Sequence, residues 1–519
     1  FEHAVREAGV GAVMTAYNLV NGRHASEHDG LIRGLLKGEW GFDGLVMSDW
    51  ASTYSTVGAA QAGLDLEMPS GLHLNEQKLT PALARGLVTQ AMIDDKVRRL
   101  LRVAICFGWL NREQRIASIP AADPRTMAVA LAAARRGTVL LKNEGALLPL
   151  APGRVRRIVV LGGHADQPVI SGGGSAYTTP SRLVSILDSL RDLAVEGLQI
   201  EHFPAVRPPT LAALAAGSVF HTATGRRGLV AEYFNSPRLS GPPAARRVDR
   251  QLDFRWIGGG TPLPRGVVPM FSVRWTGQIR PVRNGTHYLV LRPLDGAVRC
   301  WLNGRLVCDA TGRTGGLFTV RAELRAGRPC PLVIEYETVR PPGWHHFQAG
   351  WYHADDARVQ YREALQAAAR ADAVVVCTGF TTDTEGEGFD RPFALDDLAE
   401  QLILDAAAVH PNVAVVLQSG GGVDFRRWLP RVKSLLQAWY PGQEGGRAVA
   451  EILLGHCNPS GKLPCTFERQ EEDRWSHACY HDEDRDGRVH LADGLWSGYR
   501  QVDRFGPAPL FPFGFGLSY

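Results

Sequence analysis

The sequence predicts an α/β protein, with a partial (β/α) barrel remnant followed by an α/β sandwich domain that is interrupted by an all-β sandwich insert. Gly11–Ala16 (GAVMTA) and Gly44–Ser48 (GLVMS) are short apolar runs with the amphipathic stretch Gly30–Trp40 between them. That is the strand, helix, strand order of a parallel sheet, whose strands read as continuously apolar because both faces are covered. Further along, Arg157–Leu161 (RIVVL), Ala373–Cys377 (AVVVC) and Val413–Leu417 (VAVVL) read as buried strands, each followed by a glycine-containing loop. Between the first two of these, Gly228–Tyr336 alternates apolar and polar residues in short segments such as Phe271–Trp275 and Tyr288–Leu291, broken by Gly, Pro and Asn turns. Such a texture predicts a β-sandwich inserted at an exposed loop.

In chain order, a third barrel strand is expected over Ala62–Met68, before the breaker Pro69-Ser70-Gly71, and one helix over Thr80–Leu110. A complete barrel needs about eight such units, and about three fit before the pattern changes near Arg136. The expected divisions are residues 1–120 for the barrel part, 121–222 and 356–519 for the two parts of the α/β sandwich domain, and 223–355 for the insert.

Composition narrows the function classes. The 519 residues are 45% hydrophobic and 21% charged, and no apolar run approaches the roughly 20 residues of a membrane span. A net charge of +4 from 57 basic and 53 acidic residues selects neither nucleic acid nor a membrane surface, which leaves an uncharged partner. Eight cysteines without a CxxC pair argue against a zinc site or a disulfide framework, and neither metal nor cofactor is expected. Cys300 and Cys308 flank the turn residues Asn303-Gly304 and can face each other across a hairpin. Localisation stays open, and a homo-oligomer is neither required nor forbidden.

The apolar runs end in polar residues, Tyr17-Asn18 after the first and Asp49-Trp50 after the second, where barrels display catalytic groups. Asp49 can serve as a carboxylate aimed into a pocket, or as a helix cap. Trp50 can stack on a ring or plug the barrel mouth, and Tyr17 and Met68 can line a pocket or simply pack. The loop Thr381–Arg391 (TTDTEGEGFDR) holds Asp383, Glu385, Glu387 and Asp390 among glycines, without the ligand spacing of an EF-hand. Ser171–Ser175 (SGGGS) lacks the lysine of a nucleotide-binding loop.

Several stretches resemble glycoside hydrolase family 3: AYNLVNG (Ala16–Gly22), GLVMSDW (Gly44–Trp50), AAQAGLDLEMP (Ala59–Pro69), LLKNEGALLPL (Leu140–Leu150), WYPGQEGG (Trp439–Gly446), NPSGKLP (Asn458–Pro464) and PFGFGLSY (Pro512–Tyr519). The resemblance implies a β-glucosidase that retains configuration at terminal non-reducing β-D-glucosyl residues, acting on a β-glucoside or oligosaccharide. Other exo-glycosidases such as a β-xylosidase, or a noncatalytic sugar-binding protein, are the alternatives. By match, Asp49 is the nucleophile and Glu387 the general acid/base reaching from the second domain, with Glu385 in reserve and Asp390 pairing with Arg391 to shape the loop. Double displacement asks one carboxylate to stay ionised and the other to hold a proton, about 5 to 5.5 Å apart, so an interdomain pocket is expected. Tyr17 beside the nucleophile, Trp50, Met68 and Ser175 are the implied substrate-binding residues. GLVAEYFN (Gly228–Asn235), SVRWTG (Ser272–Gly277) and DGAVRCWLNGRLV (Asp295–Val307) resemble the lectin-like sandwich of anthrax protective antigen, an insert implied to limit substrate length. The resemblance further implies a fragment, lacking the start of its barrel and a fibronectin-like domain after Tyr519.

Overall fold

Each stretch of alternating strand and helix buries its own core, and the chain divides into two units, Phe1–Pro120 and Ala121–Tyr519. The computed structural model describes residues 1–116, 118–120, 122–151, 153–256, 260–311, 315–338, 345–387, 391–474 and 494–519; Asp390 and Cys479 lie outside them. Among the described residues no helix is long and apolar enough to cross a membrane.

In the first unit the strands Ala12–Met14 and Leu45–Met47 pair in parallel, with Val13 opposite Val46. The intervening helix, Gly30–Glu39, is wound as a π-helix and buries Ile32 and Leu36. These two residues meet Phe42, Val46, Ala59, Ala62 and Leu64 in one apolar cluster. The expected third strand is mostly something else. Ala62 closes the helix Thr56–Ala62, which Ser55 caps at Gly58 N and Gly63 ends in the left-handed conformation. Only Leu66 bridges to Met47, and the three parallel segments do not close into a barrel among the described residues. The expected helix over Thr80–Leu110 is two, Glu76–Ala84 and Gln90–Cys106. Gly86 at φ 69° breaks the run, and the Thr89 side chain, accepting from Met92 N, starts the second helix.

The charged residues of LDLEMP hold this unit's loops. Lys37 Nζ donates to Asp65 Oδ1 and to the Gly63 carbonyl, both at 2.7 Å, while Asp65 Oδ2 accepts from Val46 N at 2.9 Å. Burial raises the Asp65 carboxyl pKa and lowers that of Lys37, and their mutual hydrogen bond opposes both shifts. Buried Glu67 accepts from Leu72 N at 3.1 Å, His73 N at 2.8 Å and Leu74 N at 2.7 Å, closing the loop after Pro69.

The second unit is built on a six-stranded sheet in the order Val139–Asn143, Ser434–Gln437, Val413–Gln418, Ala373–Gly379, Arg157–Leu161, Gln199–Phe203. All pairings are parallel except that of Val139–Asn143. One face packs Ile186, Leu190, Val449, Ile452 and Leu453 from two helices; the other packs Ala364, Ala367, Leu402, Ile403 and Ala406. Both faces are therefore dry, which is why the central strands are rows of Val and Leu.

Between Gln199–Phe203 and Ala373–Gly379 the chain runs into a sandwich and returns. Its neck is the two-residue pairing of Ala205–Val206 with Arg358–Val359. One antiparallel sheet has seven strands, with Ser272–Ile279 between Leu229–Phe234 and Cys330–Thr338. The other has four, with Gly285–Leu294 paired to Phe318–Leu324 and His346–His353. The space between them is filled by Phe254, Trp256, Phe271, Trp275, Tyr336 and Phe347. Inside this apolar layer Asp249 accepts from Tyr233 Oη and Trp275 Nε1, both at 2.8 Å, and from Arg247 Nε at 2.6 Å. Cys300 and Cys308 do stand opposite each other in the register.

The sandwich is fastened to the α/β layer. Leu211, Leu214, Tyr288, Val290, Tyr352 and Leu398 form a shared apolar cluster. Tyr288 Oη donates to Asp397 Oδ2 at 2.6 Å and Arg321 Nη1 reaches the same oxygen at 3.2 Å, at the start of helix Asp397–Val409.

Candidate active site

In the first unit, Asp49 follows the strand Leu45–Met47 and is half-buried. One carboxylate oxygen accepts from Trp50 N at 2.5 Å. Its backbone carbonyl is tied by Ser48 Oγ at 2.8 Å and Ser52 N at 3.2 Å. Ser48 Oγ also accepts from Met68 N at 2.9 Å, and Ala51 N donates to the Met68 carbonyl at 2.8 Å, so Asp49, Trp50 and Met68 belong to one cluster. Ala51, with φ 60°, takes a left-handed turn that a non-glycine residue adopts only under local constraint. The Tyr17 hydroxyl donates to the Trp50 carbonyl at 2.7 Å rather than to the Asp49 carboxylate. Tyr17 is 49% and Trp50 60% exposed. Asp49 starts no helix, and among the described residues its side chain reaches only the next amide.

A residue not singled out from the sequence braces this cluster. Glu27 Oε1 accepts from Tyr54 N at 2.9 Å and from Ser55 N, while Oε2 accepts from Ser55 Oγ at 3.0 Å. His24 stacks on Tyr54 with ring centroids 3.5 Å apart.

In the second unit, the loops after four parallel strands gather the remaining candidates, the crevice that open α/β sheets use for ligands. The acidic loop follows Ala373–Gly379, and Gly379 at φ 150° is obligatory: a β-carbon there would stand 1.9 Å from the Gln418 carbonyl oxygen. The SGGGS loop comes from beyond Arg157–Leu161, and Gly420 and Tyr440 lie past the next two strands.

Glu385 and Glu387 have different surroundings. Glu385 Oε1 accepts from Arg391 Nε at 2.6 Å, and Oε2 accepts from Gly420 N at 2.8 Å and from the Tyr440 hydroxyl. Burial, and the hydrogen bond to Glu385 after it, push the Tyr440 hydroxyl far above its usual range, so it stays a donor. Glu387 is exposed, and its Oε2 accepts from Ser175 N at 2.6 Å. Ser175, through its hydroxyl first and its amide second, holds the Glu387 carboxyl below the usual carboxylate range. Gly174 permits the contact, since at φ 63° an added β-carbon would stand 2.5 Å from Glu387 Cβ and 2.7 Å from Oε2.

Ser175, expected to bind substrate, stands against Glu387, its amide donating to Oε2. Arg391 pairs with Glu385; its expected partner Asp390 lies outside the described residues. Tyr440 lies in a stretch already noticed for its resemblance, but its hydroxyl partner comes from a loop 55 positions away. Among the described residues no three His, Cys, Asp or Glu side chains gather as a metal ion would require.

Residues 138–519 match the glycosyl hydrolase family 3 C-terminal domain, and residues 1–103 the glycosyl hydrolase family 3 N terminal domain. The chain is 34% identical over 541 residues to a beta-glucosidase of Rhizobium radiobacter, covering 100% of this chain and 64% of that protein. It is 34% identical over 551 residues to a probable beta-glucosidase J of Emericella nidulans, covering 100% of this chain and 62% of that protein. Among solved structures, beta-glucosidase from Kluyveromyces marxianus in complex with glucose is similar at TM-score 0.68 and 29% identity, over 99% of this chain and 64% of that one. DesR, a beta-glucosidase from Streptomyces venezuelae in complex with D-glucose, is similar at TM-score 0.69 and 27% identity, over 100% of this chain and 62% of that one. The chain thus spans 62% to 64% of the length of these relatives. With both domain models of the family matched along its length, it belongs to glycosyl hydrolase family 3.

Proposed function

We propose that this chain carries the catalytic residues of an exo-acting β-glucosidase that hydrolyses terminal β-D-glucosyl residues with retention, Asp49 serving as nucleophile and Glu387 as general acid/base. The observation that carries the reading is the contrast between two neighbouring glutamates. Glu385 is held by three donors, whereas Glu387 is exposed on the same loop with one anchor. An acid/base has to reach the glycosidic oxygen and then a water, and a carboxylate already engaged at both oxygens does neither. Asp49 suits the nucleophile's part, because its backbone is fixed while its carboxylate makes one short bond to the next amide.

In this reading Asp49 attacks the anomeric carbon as Glu387 protonates the departing oxygen. Glu387, now ionised, then takes a proton from the water that releases the sugar. The Ser175 contact favours the ionised form, which suits the second step; for the first, Glu387 must leave Ser175 and carry a proton. Glucose in complex with two of the similar enzymes supports a glucoside as substrate. We read the sandwich as a lectin-like wall that limits how long a substrate enters.

Asp49→Ala in the full-length protein is expected to abolish turnover of aryl β-glucosides, and substantial residual turnover would overturn the assignment. Glu387→Ala is expected to slow poor leaving groups far more than activated ones, with azide restoring turnover. A panel of aryl glycosides, read by kcat/KM, is expected to favour glucosides; a preference for xylosides would move the reading to a β-xylosidase.

A further inference from the structure

Among the described carboxylates of the acidic loop, Glu385 ties together three separate strand ends. Its partners are Arg391 on the far side of the same loop, Gly420 after Val413–Gln418, and Tyr440 after Ser434–Gln437. The side chain is 18% exposed and Arg391 13%, so the pair is sheltered from water. Arg391 is fixed in turn: Nη2 donates to the Gly422 carbonyl at 2.8 Å, Nη1 to the Pro392 carbonyl at 3.0 Å, and the guanidinium lies 4.5 Å from the centroid of the Phe380 ring. On the approach side, Glu385 N donates to the Thr381 carbonyl at 2.8 Å, so the backbone leading into Glu385 is a closed turn. Gly420 comes so close that an added β-carbon would sit 2.9 Å from Glu385 Oε1. Glu387 stands between Glu385 and Arg391 in sequence, so this ion pair closes the base of the stretch that carries it.

We propose that Glu385 is a positioning residue for the acid/base: with Arg391, the Tyr440 hydroxyl and the Gly420 amide it staples the base of the loop and so sets where Glu387 stands. The inference rests on Glu387 being the acid/base. Closing a short loop at its base removes most of the conformations its tip would otherwise sample, and a catalytic group held to within about 0.5 Å keeps its efficiency where a loose one does not. A charged, bidentate-capable partner in a sheltered site is the strongest staple that side chains offer. Glu385 touches no reacting atom in this scheme.

The test uses the full-length protein with Glu385→Gln, Tyr440→Phe, Glu387→Ala and the Glu385→Gln/Glu387→Ala double variant, assayed on phenyl β-glucoside and on an activated dinitrophenyl β-glucoside. Positioning predicts that Glu385→Gln lowers kcat/KM on the phenyl glucoside by roughly tenfold or more, part of the roughly 100-fold or greater contribution of a general acid, with kcat/KM on the activated substrate nearly unaffected. It predicts no further loss in the double variant over Glu387→Ala alone, because the staple acts through Glu387. Should Glu385→Gln fail to fold, Tyr440→Phe removes one of the three donors and is expected to show the same leaving-group dependence at smaller size, with a circular-dichroism melt to confirm folding. An equal loss of kcat/KM on both substrates by a folded variant, or a further loss in the double variant, overturns the inference while leaving Glu387 in its role. A silent Glu387→Ala together with azide rescue of a Glu385→Ala variant overturns both, since Glu385 would then be the acid/base.

Discussion

Glu385 and Glu387 are separated by one glycine, yet three donors converge on the first while the second reaches a single serine. The Ser175 contact gives a pH prediction. A hydrogen bond to the charged form lowers a carboxyl pKa, so removing the hydroxyl in Ser175→Ala raises it. A general acid must be protonated in the free enzyme, so the alkaline limb of the kcat/KM profile is expected to move to higher pH; an unmoved or lowered limb contradicts the contact. Gly174→Ala is the steric counterpart. The added methyl would meet Glu387 Cβ at 2.5 Å in a left-handed backbone, so Glu387 has to move. The expected result is a loss of about tenfold or more on phenyl β-glucoside with little change on an activated substrate, measured as the ratio of the two rates. The candidates differ in how legible they were. Asp49 stood out as a polar residue closing an apolar run, but the run alone left a helix cap open, and only the resemblance of its SDW motif assigned it a role. The roles of Tyr440 and Gly420 could not be read, because their partner is set by the folding of distant loops onto one another.

At the scale of elements, the helix Gln90–Cys106 carries a lysine that a helix pattern alone would place outside. Lys96 is 8% exposed, and its Nζ donates to the Ala60 carbonyl at 3.0 Å. Burial, partly offset by Asp65, lowers its pKa from 10.5 to about 8. Between those two values the unfolded chain holds the proton and the folded chain does not. Stability is therefore expected to rise with pH from about 8 to 10.5, by roughly 3 kcal/mol from this group. Lys96→Met has no proton to exchange, so the urea midpoint of the first unit is expected to change less between pH 7.5 and pH 10, whatever its absolute level. A rise equal to that of the unsubstituted protein contradicts the assignment. Strand legibility followed burial. Ala373–Gly379 and Val413–Gln418 are rows of small and branched apolar residues because both faces are covered. Ser434–Gln437 is just as buried, but its ends are Ser and Gln, whose side chains are satisfied by Asn143 and Ser419 rather than by water. Gln199–Phe203 is an edge strand of partly exposed residues and has no apolar run to read. The helix over Thr80–Leu110 divided because Gly86 and Thr89 end one helix and cap the next, a local signal that outweighed the apolar spacing.

For the molecule as a whole, the sandwich is both an insertion and a fastening. Its neck is narrow, with Arg207 N donating to the Ala357 carbonyl at 2.7 Å beside the paired strands Ala205–Val206 and Arg358–Val359. Replacing residues 207–357 by a short Gly/Ser bridge removes Tyr288 and Arg321 together with the helix Leu211–Gly217, a cleaner excision than one that strands Leu211 and Leu214 without their cluster. With the sandwich acting as a wall, the trimmed full-length protein is expected to keep aryl-glucoside hydrolysis and to gain relative activity on longer oligosaccharides. A folded trimmed protein without aryl-glucoside activity would show that the sandwich helps to build the site. The sandwich itself was legible from its short segments and turns, although in the four-stranded sheet both faces are covered, Leu289 and Leu291 by the other sheet and Tyr288 and Val290 by the cluster shared with the α/β layer. The fastening at Asp397 was not, since Tyr288 and Asp397 lie 109 positions apart. The central claim, that Asp49 is the nucleophile of a retaining mechanism, is tested most directly by trapping. Full-length protein incubated with a 2-deoxy-2-fluoro-β-glucosyl fluoride, digested and analysed by tandem mass spectrometry, is expected to carry the fluorosugar on Asp49. A label on any other carboxylate, or inverted product with no covalent adduct, would contradict the account.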